Sequence, residues 1–346
     1  MRHAPGLFAI VLAASSSSLA GPTAPAPPAP PGPQAEAKLG EATALLSPIQ
    51  VESLTLTPIV AAAEPAAAGD DANLLVLDEA MAAGKVKIRE IADGNVNGLT
   101  LQNQADRPVF VMAGEVIIGG KQDRIIGRNT VIPAKTTLEV PVFCVEHGRW
   151  NGANKSFSTA KALAHGRLRG KASHAAQQDV WNEVASKNKA RKATSASDTY
   201  RKVAAQQSDG TLAAMEKQVQ AALAKLPAGE RARMVGYAVA LNGEVATVDL
   251  FGSPALFKKV ETKLLRSYLT EAIDVVAAKD ARPPTPDAVK AFMADVDKAA
   301  EQRSYDTAAA ATMTKSGARA AKTKVDYKPA AAKPAAAALY ENYQAQ

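Results

Sequence analysis

The sequence predicts an α+β fold: an antiparallel, β-sandwich-like N-terminal part, followed by a mainly helical part that holds one β-hairpin. Two observations carry this. From Leu99 to Cys144, short β-branched and apolar runs follow one another between turn residues at Asp106-Arg107-Pro108, Gly114, Gly119-Gly120 and Pro133-Ala134. Strands this short and this closely spaced suit antiparallel pairing, because parallel strands need long crossovers. Beyond Trp150 the apolar period changes from two to 3.6, and strands succeeded by helices indicate segregated layers.

Taken in order, residues 1–20, MRHAPGLFAIVLAASSSSLA, have a basic start, a short apolar run and a small-residue ending. That is the layout of a signal peptide, so the chain is expected to be exported, to a periplasm or outside the cell. Residues 21–40 are rich in Pro and Ala and are expected to be a linker. The folded domain is expected over 41–304, β-rich to 150 and mainly helical from 151. Period-two alternation marks strands at SLTLTPIV and KVKIREI, and between them DEAMAAG reads as a helix, with Asp78 as N-cap and Gly84 as its left-handed stop. Residues 151–171 read as a basic loop. Helices follow over 175–190, with Val180, Trp181 and Val184 on one stripe, and over 211–226, with Leu212, Met215, Val219 and Leu223.

Asn242-Gly243 between two alternating strands predicts a type I′ hairpin. Ser253 and Pro254 open a helix, and Thr285 and Pro286 open another expected to reach about Gln302. Residues 305–346 have the Ala/Lys/Pro composition of a disordered tail, although AALYENYQAQ carries a strand pattern.

The net charge is +7, with fifteen Lys and Arg against six Asp and Glu between Asn151 and Arg233. The cationic run from Lys155 to Lys192, Lys187 included, reads as a solvated face or as a docking surface for an anionic envelope. Few aromatic residues leave little for nucleic-acid stacking, so no specific nucleic-acid partner is expected. No stretch after the leader is long and apolar enough to span a bilayer, and scattered histidines without CxxC give no metal site. No cofactor is expected.

Chemistry concentrates in GEVIIGGKQDR and FCVEHGRW. The first lacks the GK[ST] of a phosphate-binding loop, but Gly119-Gly120 could turn backbone N–H groups outward, beside Gln122 and Arg124. In the second, alternation puts Leu138, Val140, Val142, Cys144 and Glu146 on one strand face, with Arg149 and Trp150 just beyond. Glu146 is then either half of an ion pair or a general base, and Cys144, the lone cysteine, either a small buried hydrophobe or a nucleophile. The ligand-binding set is Gly119, Gly120, Gln122, Arg124, Glu146, Arg149 and Trp150, aimed at an anionic small molecule.

These two stretches, with LDEAMAAGKVKIREI before them and DVWNEV and VDLFGSPALFKK after, resemble the ARG- and rhodanese-phosphatase-superfamily-associated protein domain, a bacterial family of unestablished activity. The resemblance covers about Leu54 to Asp280, and Gly148 joins the residues above in the matching CxExGRW pattern. By association it implies an ADP-ribose, nucleotide or sugar-phosphate ligand. Whether a reaction is catalysed stays open, with Glu146 as base and Cys144 and Arg149 beside it as the enzymatic alternative.

The leader gives the first testable expectation. N-terminal sequencing of the exported protein should begin at or near Gly21, after Ser18-Leu19-Ala20; an intact Met1 start in a cytoplasmic fraction would refute export.

Overall fold

The computed structural model describes Met1 and residues 37–62, 73–91, 95–149, 156–174, 176–328 and 337–346. All but Met1 belong to the compact unit from Gly32 to Gln346. The leader after Met1, residues 21–36 of the linker, and Trp150 lie outside the described residues. The linker boundary moves: β1 (Ala37–Lys38) already pairs with β2 (Thr43–Leu45), so ordered chain begins before residue 41.

β3 (Ile49–Val51) leads into β4 (Leu54–Ala61), nearly all of it buried. After β5 (Leu75–Val76) comes α1 (Leu77–Ala82), whose N-cap is Val76 and not Asp78. Glu79 accepts from the Val76 N–H at 3.2 Å, which frees Asp78 to bind Thr159 Oγ1 at 2.6 Å. Gly84 ends the turn at φ +65°. The strands β6 (Val86–Glu90), β7 (Gly98–Asn103), β8 (Val109–Val111), β9 (Glu115–Gly119), β10 (Arg124–Ile126), β11 (Thr130–Ile132) and β12 (Thr137–Cys144) fill the predicted β run.

Of the expected basic loop at 151–171, residues 151–155, Lys155 among them, lie outside the described residues, and 156–171 are instead largely regular, with β13 (Phe157–Leu163) and the start of α2 (Gly166–His174). Leu168 and Ala172 are the buried apolar residues of α2, beside a buried Arg169, too short an apolar stripe to be read as a helix. α3 (Gln177–Ala190) buries Val180 and Val184; a short α4 (Arg201–Ala205) precedes α5 (Gly210–Leu223), which buries the four predicted residues. After α6 (Ala228–Ala232), β14 (Met234–Leu241) and β15 (Glu244–Phe251) form the predicted hairpin, with Asn242 at φ +49° and Gly243 at φ +86°.

Ser253 caps α7 (Pro254–Ala272) by accepting from Leu256 N–H at 3.2 Å, and Thr285 caps α8 (Pro286–Ala294) in the same way. α8 ends at Ala294, short of the expected Gln302; turns follow, and Gln302 lies in β16 (Glu301–Asp306). β17 (Ala310–Ser316), β18 (Ala320–Tyr327) and β19 (Ala337–Ala345) follow. Residues 305–328 and 337–346 are therefore part of the fold and not a tail, while 329–336 lie outside the described residues. Small side chains such as Ala310, Thr312, Thr314, Thr323 and Val325 alternate into the interior, a pattern hidden by their low hydrophobicity.

The sheets are antiparallel apart from the β5–β8 pair. A 10-stranded sheet runs β1-β2-β4-β14-β15-β19-β18-β17-β16, with β3 on β4; a 6-stranded sheet runs β13-β9-β10-β12-β7-β6; a 3-stranded sheet runs β11-β8-β5. The N-terminal strands thus pair with the C-terminal hairpin, and the last strand of the chain sits between β15 and β18. α7 packs Leu256, Phe257, Val260 and Leu264 into a core shared with Leu54, Leu56 and Tyr237. Val289 and Phe292 of α8 pack with Val248 and Ile59 in a second core.

At the centre of the large sheet Asp249 is fully buried. It accepts from Arg169 Nη2 at 2.9 Å, Tyr268 Oη at 2.6 Å, Asn342 Nδ2 at 2.9 Å and Tyr340 Oη. Burial alone would push its carboxyl up, but Arg169 and the two tyrosines hold it below the usual range. Asp249→Ala should strand the buried Arg169 charge and cost about 3–5 kcal/mol, read as a lower urea midpoint. A loss under about 1 kcal/mol, the scale of a surface pair, would contradict this.

Candidate functional site

The Gly119-Gly120 turn joins β9 to β10 with φ +118° and +56°, conformations that favour glycine. The fit is tight. A Cβ on Gly119 would lie 2.3 Å from Ser156 O, and one on Gly120 2.2 Å from the Phe157 ring. The N–H groups expected to face outward are used internally: Gly119 donates to Asp123 Oδ1 at 2.9 Å and Gly120 to Ser156 O at 3.2 Å. The turn is a structural joint and not an open anion nest.

The predicted polar residues do meet. Gln122 Nε2 donates to Glu146 O at 2.7 Å, and Arg124 Nη1 to Gln122 Oε1 at 3.4 Å. Arg149 Nη2 donates to Glu146 Oε2 at 2.7 Å and Nη1 to Gly120 O at 3.0 Å. Sequence reading missed the residues that complete the cluster. Asp123, fully buried, accepts from Thr199 Oγ1 at 2.7 Å and from Arg201 at 2.9 and 2.6 Å, while Ser197 Oγ donates to Glu146 Oε1 at 2.7 Å. A TSASDTYRK segment some 50 to 78 positions away gave no local signal.

Each acid here faces donors. Burial raises the Glu146 carboxyl, but bonds from Arg149, Ser197 and the Asp123 N–H outweigh it and hold the group below the usual carboxylate range. A carboxylate so held is a weak proton acceptor. Cys144 is buried, with Sγ 3.6 Å from Val96 O, and burial pushes its thiol up despite Arg124 nearby. Gln122 and Arg124 are also buried, and Arg149 is a quarter exposed.

Open space lies elsewhere. A cleft of about 670 Å³ separates the N-terminal turn of α2 and the end of α7 from the large sheet. Gly166, Arg167, Gly170 and Lys171 line it from α2, Tyr268 and Glu271 from α7, and Thr247 and Gln344 from the sheet. Arg167 and Lys171 lie one turn apart, and Arg167 approaches Glu271 through Nε at 3.3 Å. Lys171 contacts Glu183 Oε2 at 3.2 Å, whose Oε1 is 3.0 Å from His165 Nε2. The bond from His165, with Lys171 alongside, holds the Glu183 carboxyl down to about 2. Glu183 is then acceptor-only, so His165 Nε2 carries a proton, and the neutral ring accepts from Tyr200 Oη at 2.8 Å through Nδ1. Burial lowers the His165 pKa, consistent with a neutral ring.

The depressed Glu146 pKa fixes a pH dependence. Its ionised form contributes stability that is complete above about pH 4.5 and is lost as pH falls through the lower folded value. Glu146→Gln should therefore flatten the decline of urea midpoint on the acid side. An unchanged acid limb would mean that Glu146 is not so held.

No curated protein and no solved structure matches the chain. The sequence model of one family matches residues 43–333, which contain both the ionic cluster and α2 with α7. The chain belongs to the family of the ARG and Rhodanese-Phosphatase-superfamily-associated Protein domain.

Proposed function

We propose that this protein is a binding module for an anionic small molecule, of nucleotide or sugar-phosphate type, and that the ligand sits in the cleft under α2. The observation behind this is the pairing of a cleft of about 670 Å³ with two partly exposed cations, Arg167 and Lys171, along one wall. That volume falls within the roughly 300–1,000 Å³ of small-molecule sites. Arg167 is two-thirds exposed and meets Glu271 through Nε at 3.3 Å, so its terminal nitrogens can turn to a ligand.

The Gly119–Arg149 cluster supports a structural role better than a binding one, since its carboxylates and Arg149 satisfy each other. An enzymatic role for Glu146 with Cys144 has the same difficulty. The cationic docking face is weakened by Lys187, which is buried and bonds Asp274 at 3.0 Å and Thr270 O at 3.0 Å. Lys187→Ala is thus a core substitution, not the silent surface change the sequence suggests. Export, argued from residues 1–20, belongs to the same proposal. So does a sandwich-like packing of the two smaller sheets, supported by the core that Val109 and Val111 share with Ile117, Ile126, Val140 and Val142.

Calorimetric titration of the full chain with phosphate, nucleotides and sugar phosphates tests the reading. Arg167→Ala should weaken binding by roughly thirty- to a hundred-and-fifty-fold, the loss of a charge-assisted bidentate contact. Arg149→Ala should leave affinity unchanged. The reading fails if the wild type binds none of the panel, or if Arg149→Ala weakens binding and Arg167→Ala does not.

A further inference from the structure

Gln344 lies on β19 with only 6% of its surface exposed, and its side chain lines the cleft. Its Nε2 donates to Ala246 O at 3.2 Å, which fixes the amide orientation and leaves Oε1 as the free end. No group among the described residues donates to that buried Oε1. Gly170 holds the side chain in place: a Cβ there would stand 3.0 Å from Gln344 Cγ, so the bare helix surface rests on the glutamine stem.

One turn earlier, Gly166 leaves a small open cradle. A Cβ on it would sit 3.6 Å from Gln344 Nε2, 3.7 Å from Glu271 Oε2 and 3.9 Å from Gln344 Oε1. These are ordinary contact distances, so one methyl group would occupy the space beside the two oxygens without moving a neighbour. Glu271 is itself 8% exposed and accepts the Arg167 N–H at 3.0 Å. This part of the cleft therefore presents two oxygen acceptors, one of them without a donor among the described residues, around a glycine. Buried acceptors are satisfied in folded proteins far more often than not.

We propose that the Gln344–Glu271–Gly166 cradle is a subsite for a ligand hydroxyl, so that the cleft selects a polyhydroxylated anion over an anion without hydroxyl groups. This rests on the binding reading above and adds the ligand's other half. Gly166 and Gly170 form the α2 row that faces the sheet, and Arg167 and Lys171 form the next row round the helix. A molecule spanning both rows meets cations with its anionic group and acceptors with its hydroxyl groups. An ammonium group would suit the acceptors as well, drawn by Glu271 and repelled by Arg167 and Lys171, so a diamine is the competing probe.

Matched ligands separate the two claims. Equilibrium titration of the full chain would compare ribose 5-phosphate with n-pentyl phosphate, which has the same anionic group and no hydroxyl, and with 1,5-diaminopentane. Wild type should prefer the ribose ester by roughly ten- to a hundredfold, the range for leaving a buried acceptor unpaired. Gly166→Ala and Gln344→Leu should each remove most of that preference while pentyl phosphate binds as before, and Arg167→Ala should weaken both esters alike. Gly166→Ala needs no neighbour to move, so it stays informative if Gln344→Leu perturbs folding. Equal binding of the two esters, tighter binding of the diamine, or an undiminished preference in Gly166→Ala would overturn the subsite and leave anion binding standing. Failure of both esters to bind would overturn both.

Discussion

The fold turns on one buried carboxylate. Asp249 sits at the centre of the 10-stranded sheet, and an ion in that position is tolerable only if hydrogen bonds replace its hydration. Its donors come from α2 (Arg169), α7 (Tyr268) and β19 (Tyr340 and Asn342), so satisfying one charge fixes three elements against β15. Arg169 also limits its neighbours. Gly114, at φ +89°, would bring a Cβ to 2.5 Å from Arg169 Cγ. The cleft follows from this arrangement: Arg169 places α2 with Gly166 and Gly170 over the sheet, and alternation along β19 puts Gln344 on the same face as Tyr340 and Asn342.

The same physics serves other joints. Asp123 and Glu146 gather Arg149, Arg201, Thr199 and Ser197, tying the β9–β10 turn and the end of β12 to the segment before α4. Lys263 of α7 meets Glu115 of β9 and Asp78 of α1. Burial pushes Glu115 up, whereas Glu115 and Asp78 keep Lys263 charged above its ordinary value. In each joint the polar groups bridge elements that the apolar cores alone would leave free to slide.

Local features were legible in the sequence because they are set by neighbours a few residues away. Asn242-Gly243, the Ser253 and Thr285 caps, the α5 stripe and the alternation along β12 all stand. The family resemblance was equally readable from the CxExGRW block. What failed was long-range or compositional. Residues 305–346 look like a tail because Ala, Thr and Lys carry little hydrophobicity, yet Glu301–Asp306, Ala310–Ser316, Ala320–Tyr327 and Ala337–Ala345 are four strands of the large sheet. Asp249 finds its donors 19 to 93 positions away, and no periodicity marks such partners. The predicted site residues do converge, Glu146 on Arg149 as the ion-pair reading allowed, but nothing local pointed to Asp123, Thr199 and Arg201 joining them, and the open cleft is lined by glycines and a glutamine with no motif of their own.

Amide hydrogen exchange of the full chain with and without ribose 5-phosphate tests most directly whether the cleft under α2 is the ligand site. Slowed exchange confined to residues 166–171, 244–247 and 344–346, with the turn at 119–124 and residues 146–149 unchanged, is the expected result. Slowed exchange at 119–124 and 146–149, with α2 and β19 unaffected, would contradict it.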